Sequence, residues 1–100
     1  MVILFLIGNF IEKVNILTIE DVKRKIKLGI SDAEIEVVDT KGTGDHFSAV
    51  VISDQFAGLS LVQQHRKVYK TVSDVLTREL HALQLKAWTF SEWKINNKEK

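Results

Sequence analysis

The strongest constraint in this chain is a helical repeat without breakers. Leu61, His65, Val68, Val72, Val75 and Leu76 recur at spacings of three and four, with one direct step at the end, and neither Gly nor Pro interrupts them. Such spacing places apolar side chains on one face of an α-helix. Gln64, Lys67, Lys70, Ser73, Asp74 and Arg78 fall on much of the other side. Ser60 supplies a capping hydroxyl and Gln63, three residues on, can reach back to it. The spacing predicts one long helix from about Ser60 to Glu79. Phe56-Ala57-Gly58 before it reads as a turn in which Gly58 takes φ > 0, a conformation open to glycine at no steric cost.

Strands flank this helix. Glu34–Thr40 and His46–Ser53 alternate apolar and polar residues, and Lys41–Asp45 (KGTGD) is short enough to join them as an antiparallel hairpin. Phe47, Ala49 and Val51 share one face of the second strand. Ala82–Thr89 alternates again, with Leu83, Leu85 and Ala87 opposite Gln84, Lys86 and Trp88. Trp88 is expected to pack against Trp93, with an exposed face for base stacking, shared with Gln84 and Lys86, as the alternative. A helix between two strands favours a parallel pairing. If the strand from Ala82 lies parallel to the strand from His46, both begin at the same edge, and His46 and His81 flank one site.

An earlier helix starts at Thr18, which caps it, with Asp21 in the first turn. It carries Ile19, Val22, Ile26 and Ile30 on its apolar stripe, and Gly29 is placed to end it. Its Lys23, Arg24, Lys25 and Lys27 read as a solvated face, with a patch for phosphates or an acidic partner as the alternative. Thr89-Phe90-Ser91-Glu92 opens a last short helix through Trp93, followed by a polar tail at 96–100. Residues 1–16 begin with an apolar run, MVILFLI, that is too short to span a bilayer and lacks a basic leader. They are expected to be a loosely packed or disordered extension. The fold class is therefore α+β, in the order α-β-β-α-β-α, with helices packed on one face of a three-stranded mixed sheet.

Composition narrows the chemistry. The 14 basic and 13 acidic side chains leave a formal charge of +1, without the basic excess of a dedicated nucleic-acid binder. There is no cysteine, so thiolate ligation and cysteine nucleophiles from this chain are excluded. The three histidines are the whole inventory of borderline metal ligands, and two of them cannot complete a structural tetrahedral site. No hydrolase, Walker or serine–histidine–acid pattern is present, so the chain is not read as an enzyme.

The turn Phe56-Ala57-Gly58, the helical His65-Arg66-x-Val68-Tyr69 and the strand-opening His81-Ala82-Leu83 together resemble the BolA family, and the match extends from about Ile19 to Trp93. The resemblance implies a BolA-like domain over residues 17–95 with a type II KH-like fold. It implies an adaptor that binds a monothiol glutaredoxin and shares a glutathione-ligated two-iron, two-sulfur cluster, in cluster trafficking or iron regulation. Without that partner the chain would hold no cofactor and would be a monomer or weak homodimer. His81 matches the family's ligand histidine. His46 stands for the second ligand, with a hydrogen-bonded structural histidine or coordination by Asp45 as competing readings. His65 is read as buried and structural, beside Gly58 as a structural turn residue.

The resemblance also implies an alternative, a nucleic-acid-binding transcriptional regulator using Arg66, Lys67 and Lys70. A KH domain, however, grips the backbone through a Gly-x-x-Gly loop, and here there is only Gly42-Thr43-Gly44. The expected compartment is the cytoplasm, with an organelle left open.

Overall fold

The computed structural model describes residues 17–76 and 78–98; the expected extension at 1–16 lies outside the described residues. The elements run α1 (Ile19–Gly29), β1 (Glu34–Asp39), β2 (His46–Ile52), a short 3-10 turn (Asp54–Phe56), α2 (Leu61–Thr71), β3 (Ala82–Trp88) and α3 (Phe90–Lys98). The fold is α+β, as the sequence predicts.

The sheet order is β1-β2-β3, with β1 antiparallel to β2 and β2 parallel to β3. In register, His46 pairs with Ala82 and Ile52 with Trp88. Phe47, Ala49, Val51 and Leu83 face inward and meet Val22, Ile26 and Ile30 of α1 and Val68 and Val72 of α2 in one core. Most of these side chains are fully enclosed, and burying one of that size contributes about 1.5–3 kcal/mol.

Caps fix where the helices begin. In α1 the Thr18 hydroxyl accepts from the Asp21 N–H at 3.0 Å, and Asp21 accepts from the Thr18 N–H at 3.0 Å. Ser60 and Gln63 make the same reciprocal pair at 3.2 and 2.9 Å. Thr89 and Glu92 repeat it at 3.2 and 2.9 Å. Each pair satisfies two N–H groups that the first turn would otherwise leave unpaired.

The long helix expected to reach Glu79 stops at Thr71. Beyond it the chain continues in tight turns: Val72 N–H donates to Tyr69 O, Val75 N–H to Val72 O and Arg78 N–H to Val75 O, all three residues back. Thr71 also turns its hydroxyl onto Val68 O at 2.6 Å. Val72 and Val75 stay buried because a three-residue repeat keeps them on one side just as a helix would. Over so few turns the two periods are indistinguishable in sequence.

Gly29 ends α1, as its place in the sequence predicts. It does so without a positive φ; among the described residues the glycines of that kind are Gly42, Gly44 and Gly58. A Cβ at Gly29 would collide with the Thr71 side chain, so this glycine lets α1 and α2 approach closely. The last helix also exceeds its prediction: residues 96–98, expected in a polar tail, belong to α3. Trp93 packs edge-on to Trp88 with ring centroids 6.2 Å apart, as expected.

Candidate metal-ligating site at one edge of the sheet

The hairpin loop is built around a carboxylate. Asp39 accepts from the N–H groups of Gly42 and Gly44, each at 2.9 Å. Those glycines hold φ of 71° and 76°, which turns their amides inward. Thr40 closes the loop by donating both its N–H and its hydroxyl to His46 O, at 3.0 and 3.1 Å. The result delivers Asp45 and His46 at the first rung of β2.

β3 starts beside them. The main-chain oxygen of Asp45 accepts from the N–H groups of His81 and Ala82, at 2.8 and 3.2 Å. Leu80 and Leu83, both buried, anchor the chain on either side of His81, whose own side chain is 54% exposed. The parallel pairing anticipated from element order thus brings His46 and His81 together: their rings sit 5.8 Å apart at 89°.

One carboxylate joins the two rings. Asp45 Oδ1 lies 2.8 Å from His46 Nδ1, and its Oδ2 lies 3.3 Å from His81 Nδ1. The Thr43 hydroxyl donates to the same carboxylate. That bond, then the hydrogen bond to His46 and the nearby imidazoles, holds the Asp45 carboxyl below the usual carboxylate range. One potential ligand atom from each of Asp45, His46 and His81 lies within 4.8 Å of the others. The sequence alone leaves Asp45 as a competing reading and passes over Thr43. The signal available was the run Thr43-x-Asp45-His46, a hydroxyl two residues from a carboxylate at the end of a tight loop.

The remaining site candidates lie elsewhere. His65 is half-buried rather than buried, and its ring meets the Tyr69 ring edge-on with centroids 6.4 Å apart. Tyr69 in turn donates its hydroxyl to Leu83 O at 2.8 Å, which ties α2 to β3. Leu61, expected on the buried stripe, is 65% exposed and lines a groove with His65, Leu85 and Trp88. Arg66 and Lys70 are exposed on α2 and Lys67 is half-buried. The basic run of α1 is largely engaged within the molecule: Arg24 with Asp21 and Lys25 with Asp74, both at 2.7 Å, and Lys27 donating to Ala33 O at 2.8 Å. Gly58 holds φ of 80°, as its place in the turn predicts. No helix among the described residues is long and apolar enough to cross a membrane.

Comparison with known proteins gives one consistent answer. A family model described as "BolA-like protein" matches residues 14–92. The DNA-binding transcriptional regulator BolA of Escherichia coli is 32% identical over 81 residues, covering 74% of this chain and 77% of that protein. Among solved structures, a BolA-like protein from Babesia bovis superimposes with a TM-score of 0.72 at 26% identity, covering 81% of this chain and 94% of the other. A BolA homologue from Coxiella burnetii gives 0.64 at 35% identity, over 79% and 99%.

Proposed function

The chain belongs to the BolA-like protein family, and from that premise we propose that it is an adaptor that docks a monothiol glutaredoxin and shares with it a glutathione-ligated two-iron, two-sulfur cluster. The observation that carries this reading is the convergence of His46 and His81 at one open edge of the sheet, 5.8 Å apart between ring centroids. The donor set suits the role. Neutral imidazole is a competent iron ligand, and with no cysteine in the chain the thiolates would come from the glutaredoxin and glutathione. His81, more than half exposed, is the residue a partner could reach, and His46 is the second candidate.

The chain's own residues hold the pair ready. The Asp45 main-chain oxygen pins His81 through its N–H, and the Asp45 carboxylate faces both Nδ1 atoms. A carboxylate beside an imidazole is the usual outer partner that orients a ligating histidine. Imidazole in place of thiolate raises the reduction potential of a two-iron, two-sulfur cluster.

The test is to combine the protein with monothiol glutaredoxin, glutathione, ferrous iron and sulfide, and to follow the visible spectrum and elution volume together. A complex with new absorption bands, distinct from those of the glutaredoxin alone, is expected. Unchanged bands and no complex would overturn the proposal.

A second reading draws on the relatives named as DNA-binding regulators and on Arg66 and Lys70, exposed on α2. It predicts DNA affinity that falls steeply with salt, with a slope that lessens by about 1 for each contacting cation removed. Affinity insensitive to Arg66→Ala and Lys70→Ala would exclude that surface.

A further inference from the structure

Asp45, His46 and His81 form a three-donor set complete within one chain, and we infer that the isolated protein binds a single divalent transition-metal cation there. The inference stands on these side chains alone and does not depend on the glutaredoxin reading. Two imidazoles and a carboxylate suit Zn²⁺, Co²⁺ and Fe²⁺, and the absence of thiolate disfavours the softer Cu⁺.

Geometry favours it. Bonds of 2.0–2.1 Å in a tetrahedral shell set neighbouring donors about 3.3 Å apart. The carboxylate oxygens already stand 2.8 and 3.3 Å from the two Nδ1 atoms. A donor atom of each residue lies within 4.8 Å of the others, so side-chain rotation without backbone movement closes the set.

The backbone around the site is fixed in advance. His46 is the first residue of β2, and its main-chain oxygen is held by Thr40. His81 and Ala82 are bonded to the Asp45 oxygen. The carboxylate is oriented by the Thr43 hydroxyl, an outer partner of the kind that ligating carboxylates keep. The rings replace their Nδ1 contacts with the carboxylate by bonds to the metal. Any imidazole proton displaced from Nδ1 moves to Nε2 through solvent, which reaches His81 freely. Three protein donors leave the remaining position to water, an open shell and not a closed structural one.

The experiment titrates Zn²⁺ alone into the full-length chain by calorimetry, and Co²⁺ alone by visible absorption, with no glutaredoxin, glutathione, iron or sulfide present. One saturable site per chain is expected, with cobalt bands of low coordination number. His81→Ala should abolish it, and Asp45→Asn should weaken it by about 10-fold or more. His65→Ala, away from the site, should bind as the wild type does. Circular dichroism and a melting curve on each variant keep folding separate from binding, and His81→Gln serves if His81→Ala unfolds. Absence of saturable binding, wild-type affinity in Asp45→Asn, or loss of binding in a folded His65→Ala would overturn the inference. Because the glutaredoxin experiment reads a different complex, either result can fail while the other stands.

Discussion

The two ends of β2 carry the same device in opposite settings. At the start, Asp45 receives a hydroxyl bond from Thr43 and faces His46 and His81. Just past the end, Asp32 receives the hydroxyl of Ser53 at 2.5 Å, the N–H of Asp54 at 3.0 Å and the amide of Gln55 at 3.1 Å. Asp54 then accepts from the N–H of Phe90 at 3.2 Å, which ties in α3. Both carboxyls sit below their ordinary range, and in both the first cause is the hydroxyl bond. The donors make the difference. Around Asp32 they do not titrate or bind metal, and Ser53 is fully buried, so that carboxylate is committed to joining elements. Around Asp45 two of them are imidazoles, 30% and 54% exposed, so the same device gathers potential donor atoms at the surface.

The largest test of this contrast swaps the readouts. His81→Ala should eliminate the mixed-cluster spectrum with glutaredoxin while the melting free energy changes by under about 0.5 kcal/mol, since the side chain is mostly exposed. A retained wild-type spectrum would remove His81 from the site. Asp32→Ala should do the reverse. It leaves the buried Ser53 hydroxyl without its acceptor and should cost about 1–3 kcal/mol in a denaturant titration, with metal and cluster binding preserved. A stability change too small to resolve would show that the Asp32 knot is incidental.

Acid should probe the Asp32 end next. A carboxyl whose folded pKa is depressed contributes stability that is fully present above its unfolded value, here the ordinary 3.8. That contribution disappears as pH falls through the lower, folded value. Wild type should therefore lose more stability below about pH 4 than Asp32→Asn loses over the same interval. Equal slopes would contradict the cited direction.

The smallest effect concerns the turn at the Asp32 end. Gly58 holds φ of 80° with nothing within 4 Å of a built Cβ, so Gly58→Ala meets backbone strain but no collision. A loss of about 1 kcal/mol is expected in the melting curve. An unchanged midpoint would make the turn an ordinary one.

Much of this was legible in the residues. The three helix starts were visible because a capping pair is a local event between residues three apart, as in Thr18 with Asp21 and Ser60 with Gln63. The strands were visible because alternation needs only neighbouring side chains, as in Phe47, Ala49 and Val51, all buried. Even the meeting of His46 with His81 followed from element order, given the parallel pairing. Where the sequence misled, the deciding partner was distant. Leu61 and His65 lie on the apolar side of the repeat, yet Leu61 is largely exposed and His65 is half exposed.

By itself, then, the sequence determined the kinds and order of the elements, the absence of thiolate and the family. Those depend on composition and on interactions a few residues long. The end of α2 at Thr71 was legible only in the tertiary structure, where Gly29 of α1 lies against the Thr71 side chain. The third donor was decided there too. Asp45 follows a short loop of ordinary turn residues, and only the pairing of β2 with β3 brings its carboxylate to His81, a residue 36 positions away in the sequence. A contact of that separation leaves no periodic trace in a single chain; the packing of the sheet creates it.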